Sequence, residues 1–206
     1  MYMNRILSIL LLCLLSAGMT WAQDADLQRI CEHNRATKTL NATVRRTCHN
    51  TAIADNEVTT GTFSLRKPGQ IGMTFLGGQD KLLMDGDVYT MVTGGKAQVA
   101  RGKTKELFSV LRDVLRAVMG DGEVADLEGR ATLEWTKSNE WLTLAVTPAW
   151  KGSKWFMMFR SFIFTIDARD LRLRSLRMNG RGESYTQYDF TDYRPDTPVA
   201  ADAFKP

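Results

Sequence analysis

From Leu40 onward the chain is written in a period of two, in short runs cut by turn residues, and one helical stretch interrupts the rhythm. Leu40 to Thr51, Glu57 to Arg66, Gln70 to Phe75, Lys81 to Met84 and Val88 to Val92 are strand-like, and Pro68-Gly69, Gly77-Gly78, Asp85-Gly86 and Gly94-Gly95 separate them. Phe63 and Leu65 share one face, as do Ile71, Met73 and Phe75, while Ser64, Arg66, Gly72 and Thr74 face the other way. That alternation predicts a half-buried antiparallel sheet. Strands resume at Ala131 to Trp135, Trp141 to Val146, Trp155 to Asp167, Leu171 to Asn179 and Glu183 to Tyr193. In the third of these, Phe156, Met158, Phe162, Phe164 and Ile166 fall on one side. In the fourth the parity slips, from Leu171 and Leu173 to Leu176 and Met178, and a bulge near Arg174-Ser175 reconciles the two halves.

Two helices accompany the strands. Asp24 to Thr37 puts Leu27, Ile30 and Cys31 on one face, with Asp24 as N-cap. Lys103 to Met119 carries Leu107, Leu111, Val114, Leu115 and Val118 at helical spacing, with Phe108 widening the stripe. Arg112, Asp113 and Arg116 hold its opposite side, and Gly120 stops it. The pattern predicts a mainly β fold with two or three helices, built on one curved antiparallel sheet. No repeat, linker or low-complexity segment divides it.

The first two dozen residues predict export. Arg5 is followed by an apolar run from Ile6 to Leu15, and then by Thr20-Trp21-Ala22 before Gln23, the layout of a signal peptide cut after Ala22. The run is shorter than the ~20 residues of a spanning helix. Cys13 follows Leu10-Leu11-Leu12 instead of small residues, so acylation of the protein itself is not expected. The expected organisation is residues 1–22 as signal peptide and 23–206 as a single domain, exported and soluble.

A net charge of +4 is too mild to imply nucleic-acid binding. The two histidines, His33 and His49, lie in no nucleophile motif, and no phosphate-binding loop or dinucleotide fingerprint is present. Cys31, His33, Cys48 and His49 make a poor zinc set, since i and i+2 on a helix diverge and strand neighbours alternate faces. No cofactor, metal or enzymatic activity is expected. Cys31 and Cys48 are the two cysteines left after cleavage, and an oxidising compartment predicts a disulfide between them. Arg160, Arg169, Arg172, Arg174, Arg177 and Arg181 cluster late in the chain, as a solvated face or as a docking surface for anions. The Phe and Met residues on the inward faces either fill a core or line a cavity adaptable to lipid tails.

Several motifs resemble those of the periplasmic outer-membrane lipoprotein carrier (LolA-like) family. GTFSLRKP at Gly61 to Pro68 leads through a short strand to Leu83-Met84-Asp85-Gly86 before Val88-Tyr89. The strands at Phe162 to Asp167 and Tyr188 to Tyr193, and the closing Ala203-Phe204-Lys205-Pro206, are similar to the family's last strands and final F-x-P. The resemblance implies an unclosed β-barrel with a helical lid that shields lipoprotein acyl chains in an apolar cavity and carries them towards the outer membrane. It implies a monomer whose partners are acylated lipoproteins, an inner-membrane lipoprotein-releasing transporter and an outer-membrane acceptor. The expected cavity residues are Phe63, Leu65, Met73, Phe75, Leu83, Leu107, Leu111, Leu115, Met158, Phe162 and Phe164. Lys67 stands where the family has a lid-latching Arg, with Arg66 one place earlier, so both are latch residues to be tested. Ser64 stands where the family often has Trp. The Lys103 to Met119 helix is the expected lid, hinged at Gly94-Gly95 and Gly120-Asp121-Gly122. The competing reading is a periplasmic sensor that uses the same fold to bind a lipid or a regulatory protein.

Overall fold

The computed structural model describes residues 25–52, 55–122, 127, 129–149 and 159–206. The signal peptide, the Asp24 cap, Phe156 and Met158 lie outside the described residues, as does the side chain of Leu107. Helix α1 (25–34) leads into β1 (Thr39–His49). Five strands follow in turn: β2 (Glu57–Arg66), β3 (Gln70–Phe75), β4 (Asp80–Asp85), β5 (Val88–Thr93) and β6 (Lys96–Val99). Helix α2 (Lys103–Val118) then carries the chain to β7 (Ala131–Lys137), β8 (Trp141–Pro148), β9 (Ser161–Asp167), β10 (Leu173–Asn179) and β11 (Tyr185–Pro195).

The eleven strands form one sheet in the order β6-β5-β4-β3-β2-β1-β11-β10-β9-β8-β7, and every pairing is antiparallel. Sequence neighbours are therefore spatial neighbours, and the two halves of the meander join where β1 pairs with β11. β6 and β7 are left as free edges, and α2 is the connection between them. The barrel is unclosed, as the family resemblance implies. Register shifts between Asn41 and Thr43 in β1 and between Leu173 and Ser175 in β10 bend the sheet. The second shift is the bulge expected from the slipped parity.

The inward face is set by β1, where Leu40, Ala42 and Val44 are buried and alternate with half-exposed Asn41 and Thr43. Phe63 and Leu65 of β2, Ile71, Met73 and Phe75 of β3, and Phe162, Phe164 and Ile166 of β9 continue it. Leu111, Val114, Leu115 and Val118 of α2 are buried in the same cluster, together with Leu27 and Ile30 of α1. Helix α2 thus fills the concave face. β6 went unread in the sequence because Lys96-Ala97-Gln98-Val99 is exposed throughout and has no alternation to show.

Two expectations are corrected here. Leu83 does not face the interior: it pairs with Gly72 and Thr90, while its neighbours Leu82 and Met84 face the core. Three apolar residues in succession conceal the parity, and only the register reveals it. Cys31 and Cys48 are free thiols, not a disulfide. The Cys31 thiol is buried on α1 and donates to the Gly122 carbonyl at 3.4 Å, whereas Cys48 lies at the far end of β1 with the Thr186 hydroxyl 4.0 Å from its sulfur. Nine residues of extended chain separate Cys48 from Thr39, a distance of roughly 30 Å.

Residues 196–206 cross the convex face as a strap. Asp196 accepts from the Lys38 N–H at 2.7 Å, the Asn41 amide donates to the Pro198 carbonyl at 3.0 Å, and the Lys81 ammonium donates to the Lys205 carbonyl at 2.8 Å. Arg66 belongs to this strap and not to a lid latch: it donates to the Val199 carbonyl at 3.3 Å and sits 5.0 Å over the Phe204 ring.

Candidate ligand site

An apolar cavity of about 140 Å3 opens between the N-terminal half of α2 and the β3–β4–β5 end of the sheet. Phe75, Leu82, Met91, Phe108, Met178 and Tyr188 make its walls, and Arg46 and Asp80 stand at its rim. Its volume is close to the ~150 Å3 that holds a single benzene ring. Arg46 shares the inward parity of Leu40, Ala42 and Val44, which was the signal available in the sequence for an inward cation. Its guanidinium lies 4.6 Å over the Phe75 ring, donates to Thr59 at 3.1 Å and pairs with Asp80 at 3.0 Å. Asp80 also accepts the Gly94 N–H at 3.1 Å, and that bond, with Arg46, holds its carboxyl below the usual range. Burial pushes the Tyr188 phenol up to about 12. The rim is therefore ordered and charged, and the wall behind it is aromatic and thioether-rich.

Among the described residues, Phe75 alone of the expected cavity residues borders this space. Phe63, Met73, Phe162 and Phe164 lie in the core beneath α2, and Leu111 and Leu115 are on the α2 face that covers them, each at 0% exposure. Leu65 borders a second cavity of about 160 Å3 at the opposite end of β1, with Leu40, Met119 and Tyr193. The sequence identified the face and could not show that a helix occupies it.

The polar fastenings of α2 explain its seat. The Lys67 ammonium donates to the carbonyls of Asn34 at 2.8 Å, Arg35 at 3.3 Å and Gly120 at 3.0 Å. One cation thus ties the β2–β3 turn to the C-terminal ends of both helices, where the dipoles favour positive charge. Three separate carbonyls suit the three donors of an ammonium better than a planar guanidinium fork. The Asn34 amide nitrogen lies 3.0 Å from the Val118 and Leu171 carbonyls, and Asp121 accepts the Gly69 N–H at 2.7 Å.

The expected hinges are corrected. Gly120 has φ +75, and a Cβ there would lie 2.4 Å from the Asn34 carbonyl carbon, so it is a close-packed helix stop. Gly94 and Gly95, with φ +56 and +76, form the two-residue β5–β6 hairpin turn. Towards the middle of α2, Asp113 is 3% exposed and accepts from Arg112 Nε at 2.6 Å and Arg130 Nη1 at 2.5 Å. Arg112 also reaches the Gly86 carbonyl at 3.0 Å and pairs with Asp87. Apolar packing below and an ion-pair network above hold the helix in place.

Of the late arginines, Arg172, Arg174 and Arg177 are half-buried and Arg160, Arg169 and Arg181 are exposed. Arg174 pairs with Asp167 at 3.1 Å and Asp170 at 2.6 Å, and Arg177 lies 3.7 Å over the Tyr185 ring. Among the described residues no helix is long and apolar enough to cross a membrane.

No family model and no curated protein matches the chain. Among solved structures it is similar to a chain of the Pseudomonas aeruginosa MucA/MucB complex, with a TM-score of 0.49 and 15% identity; the match covers 90% of this chain and 61% of that one. It is similar to a LolA superfamily protein from Nitrosomonas europaea, with a TM-score of 0.44, 9% identity and coverage of 88% and 97%. It is also similar to the Mycobacterium tuberculosis lipoprotein LppX, with a TM-score of 0.44, 12% identity and coverage of 88% and 98%. These are likenesses of fold. The architecture expected from the motif resemblance, an unclosed antiparallel β-barrel covered by a helix, is the architecture of this protein.

Proposed function

We propose that this protein is a non-enzymatic periplasmic carrier that shields the acyl chains of lipoproteins and passes them towards the outer membrane. The observation that carries this reading is the filling of an open barrel by a single amphipathic helix. α2 supplies the apolar contents of the concave face, and a Phe- and Met-lined cavity opens along its N-terminal half. Acyl chains would occupy that face by displacing α2, because about 140 Å3 admits only the start of a long chain. Arg46 and Asp80 would mark the entrance, and Lys67 would keep the C-terminal end of α2 attached while the other end lifts. In a carrier that draws cargo from one membrane transporter and yields it to an acceptor, such one-ended release opens the cavity without exposing all of it to water.

The test is uptake of a fluorescent sixteen-carbon acyl probe by the purified protein, together with mass spectrometry of what copurifies from the periplasm. Met91→Glu, at the half-exposed cavity wall, should weaken probe binding without unfolding the protein. Probe binding and copurified acylated protein are expected. A protein that takes up no probe and brings down no acylated species is not a carrier.

A further inference from the structure

Beside the apolar interior, the surface folds into a cleft of about 470 Å3 where the C-terminal ends of α1 and α2 meet the β2–β3 turn. Four cations from three segments line it: Arg35 and Lys38 in the connection between α1 and β1, Lys67 in the turn and Arg116 in the last turn of α2. The carboxylates nearby are already engaged. Asp121 takes the Gly69 N–H at 2.7 Å and pairs with Arg116 at 3.4 Å, and Asp196 takes the Lys38 backbone N–H at 2.7 Å.

Helix C-termini attract cations, and that accounts for two of the four. Lys67 binds the Asn34, Arg35 and Gly120 carbonyls, and Arg116 donates to the Asp121 carbonyl at 2.7 Å. It does not account for the Arg35 guanidinium or the Lys38 ammonium. Among the described residues, neither has a carboxylate within ion-pair distance. Positive charge is in excess here, in a concave space with ample room for a phosphate group.

We propose that this cleft binds a phosphate group. A phosphate carries several acceptor oxygens in a tetrahedral array, enough to meet the Arg35 guanidinium and the Lys38 ammonium at once beside the fixed charges of Lys67 and Arg116, whereas a carboxylate offers two in one plane. Burial holds the Lys67 ammonium below the usual lysine range and the neighbouring Lys38 adds to the effect, so an arriving anion relieves both. The same chemistry is found in free phosphate and in a phospholipid headgroup. The proposal stands apart from acyl-chain carriage, because none of these four residues lines the apolar cavity.

The experiment titrates the purified protein with inorganic phosphate against chloride at matched ionic strength. In a second arm, the protein is sedimented with vesicles of phosphatidylglycerol or of phosphatidylcholine. Arg35→Glu combined with Lys38→Glu should weaken binding about tenfold or more, since each lost partner is a charge-assisted hydrogen bond. Both side chains are exposed, and the paired change to Gln gives the same reading with less repulsion should the Glu variant fold poorly. Lys96→Glu with Arg181→Glu, the same charge change elsewhere, should alter binding by no more than about twofold. Binding of phosphate and of phosphatidylglycerol vesicles, both lost in the cleft variants, identifies a headgroup. Binding of phosphate alone identifies a free anion. Absence of binding in both arms, or equal losses in the cleft and control variants, overturns the proposal. Acyl-probe uptake should be unchanged in every one of these variants.

Discussion

Buried Tyr89 and half-buried Lys67 are not equivalent in what they contribute. Tyr89 is 0% exposed, its ring is stacked on Phe108 at 5.9 Å, and among the described residues its hydroxyl has no hydrogen-bond partner. An unsatisfied buried hydroxyl costs about 1–3 kcal/mol, so Tyr89→Phe should raise the stability by about 1 kcal/mol in urea unfolding. The same substitution should change the alkaline limb. Burial pushes Tyr89 and Tyr188 up to about 12, against an ordinary value near 10, and raises Tyr193 as well. The unfolded chain then ionises first as pH rises. The stability should hold below about pH 10 and fall through pH 12, by about 1.4 kcal/mol per pH unit for each tyrosine, with one share missing in Tyr89→Phe. Lys67 is the opposite case, since all its donors are used. Lys67→Met keeps the aliphatic stem and leaves three carbonyls without their cation. A loss of about 2 kcal/mol and faster hydrogen exchange at the ends of both helices should follow, with Lys67→Arg restoring only part of either.

At the scale of elements, Gly120 and Gly72 separate a rigid contact from a yielding one. A Cβ at Gly120 would sit 2.4 Å from the Asn34 carbonyl carbon and 2.5 Å from the Arg35 nitrogen, at a φ that L side chains avoid. Gly120→Ala should therefore cost about 3 kcal/mol or more and loosen the α1–α2 contact in hydrogen exchange. A Cβ at Gly72 would sit 2.4 Å from the Ala203 carbonyl oxygen, on a strap that can move. Gly72→Ala should cost little in urea unfolding but make residues 196–206 a site of limited proteolysis. These contacts mark where sequence reading stops. Strand alternation and the α2 stripe follow from local periodicity, and so the sheet, the inward Phe residues and the Leu173–Ser175 bulge could be read directly. A glycine signals a free backbone, and only packing decides whether it is a hinge or, like Gly120, a wedge. Leu83 was misplaced for a related reason, because Leu82-Leu83-Met84 has no parity until strand pairing supplies one. The expected Cys31–Cys48 bridge failed because pairing depends on where the β1 register carries Cys48, and no local pattern encodes that distance.

For the molecule as a whole, the question is how a barrel with a filled interior can accept cargo. Phe108, Val110, Leu111, Val114, Leu115, Ala117 and Val118 are buried on α2, six of them worth roughly 2 kcal/mol each and Ala117 less, so lifting the helix costs on the order of 12 kcal/mol. A sixteen-carbon chain laid on the same face recovers roughly 12 kcal/mol at ~0.8 kcal/mol per methylene. The exchange is close to balanced, and a carrier requires that balance: a deep, empty cavity would hold lipid too tightly to release it, and a helix buried much more firmly would never yield. The barrier should then respond to changes in α2 that never touch cargo in the closed state. Leu111→Ala should lower global stability by about 2–5 kcal/mol. If α2 is the moving element, it should also speed acyl-probe uptake and α2 hydrogen exchange, because the open state loses less on closing to a smaller side chain. If α2 is a fixed core helix, the stability falls alike, but uptake keeps its rate and the α2 amides exchange only through global unfolding. Measured together, uptake rate and native-state exchange separate a lid from a core.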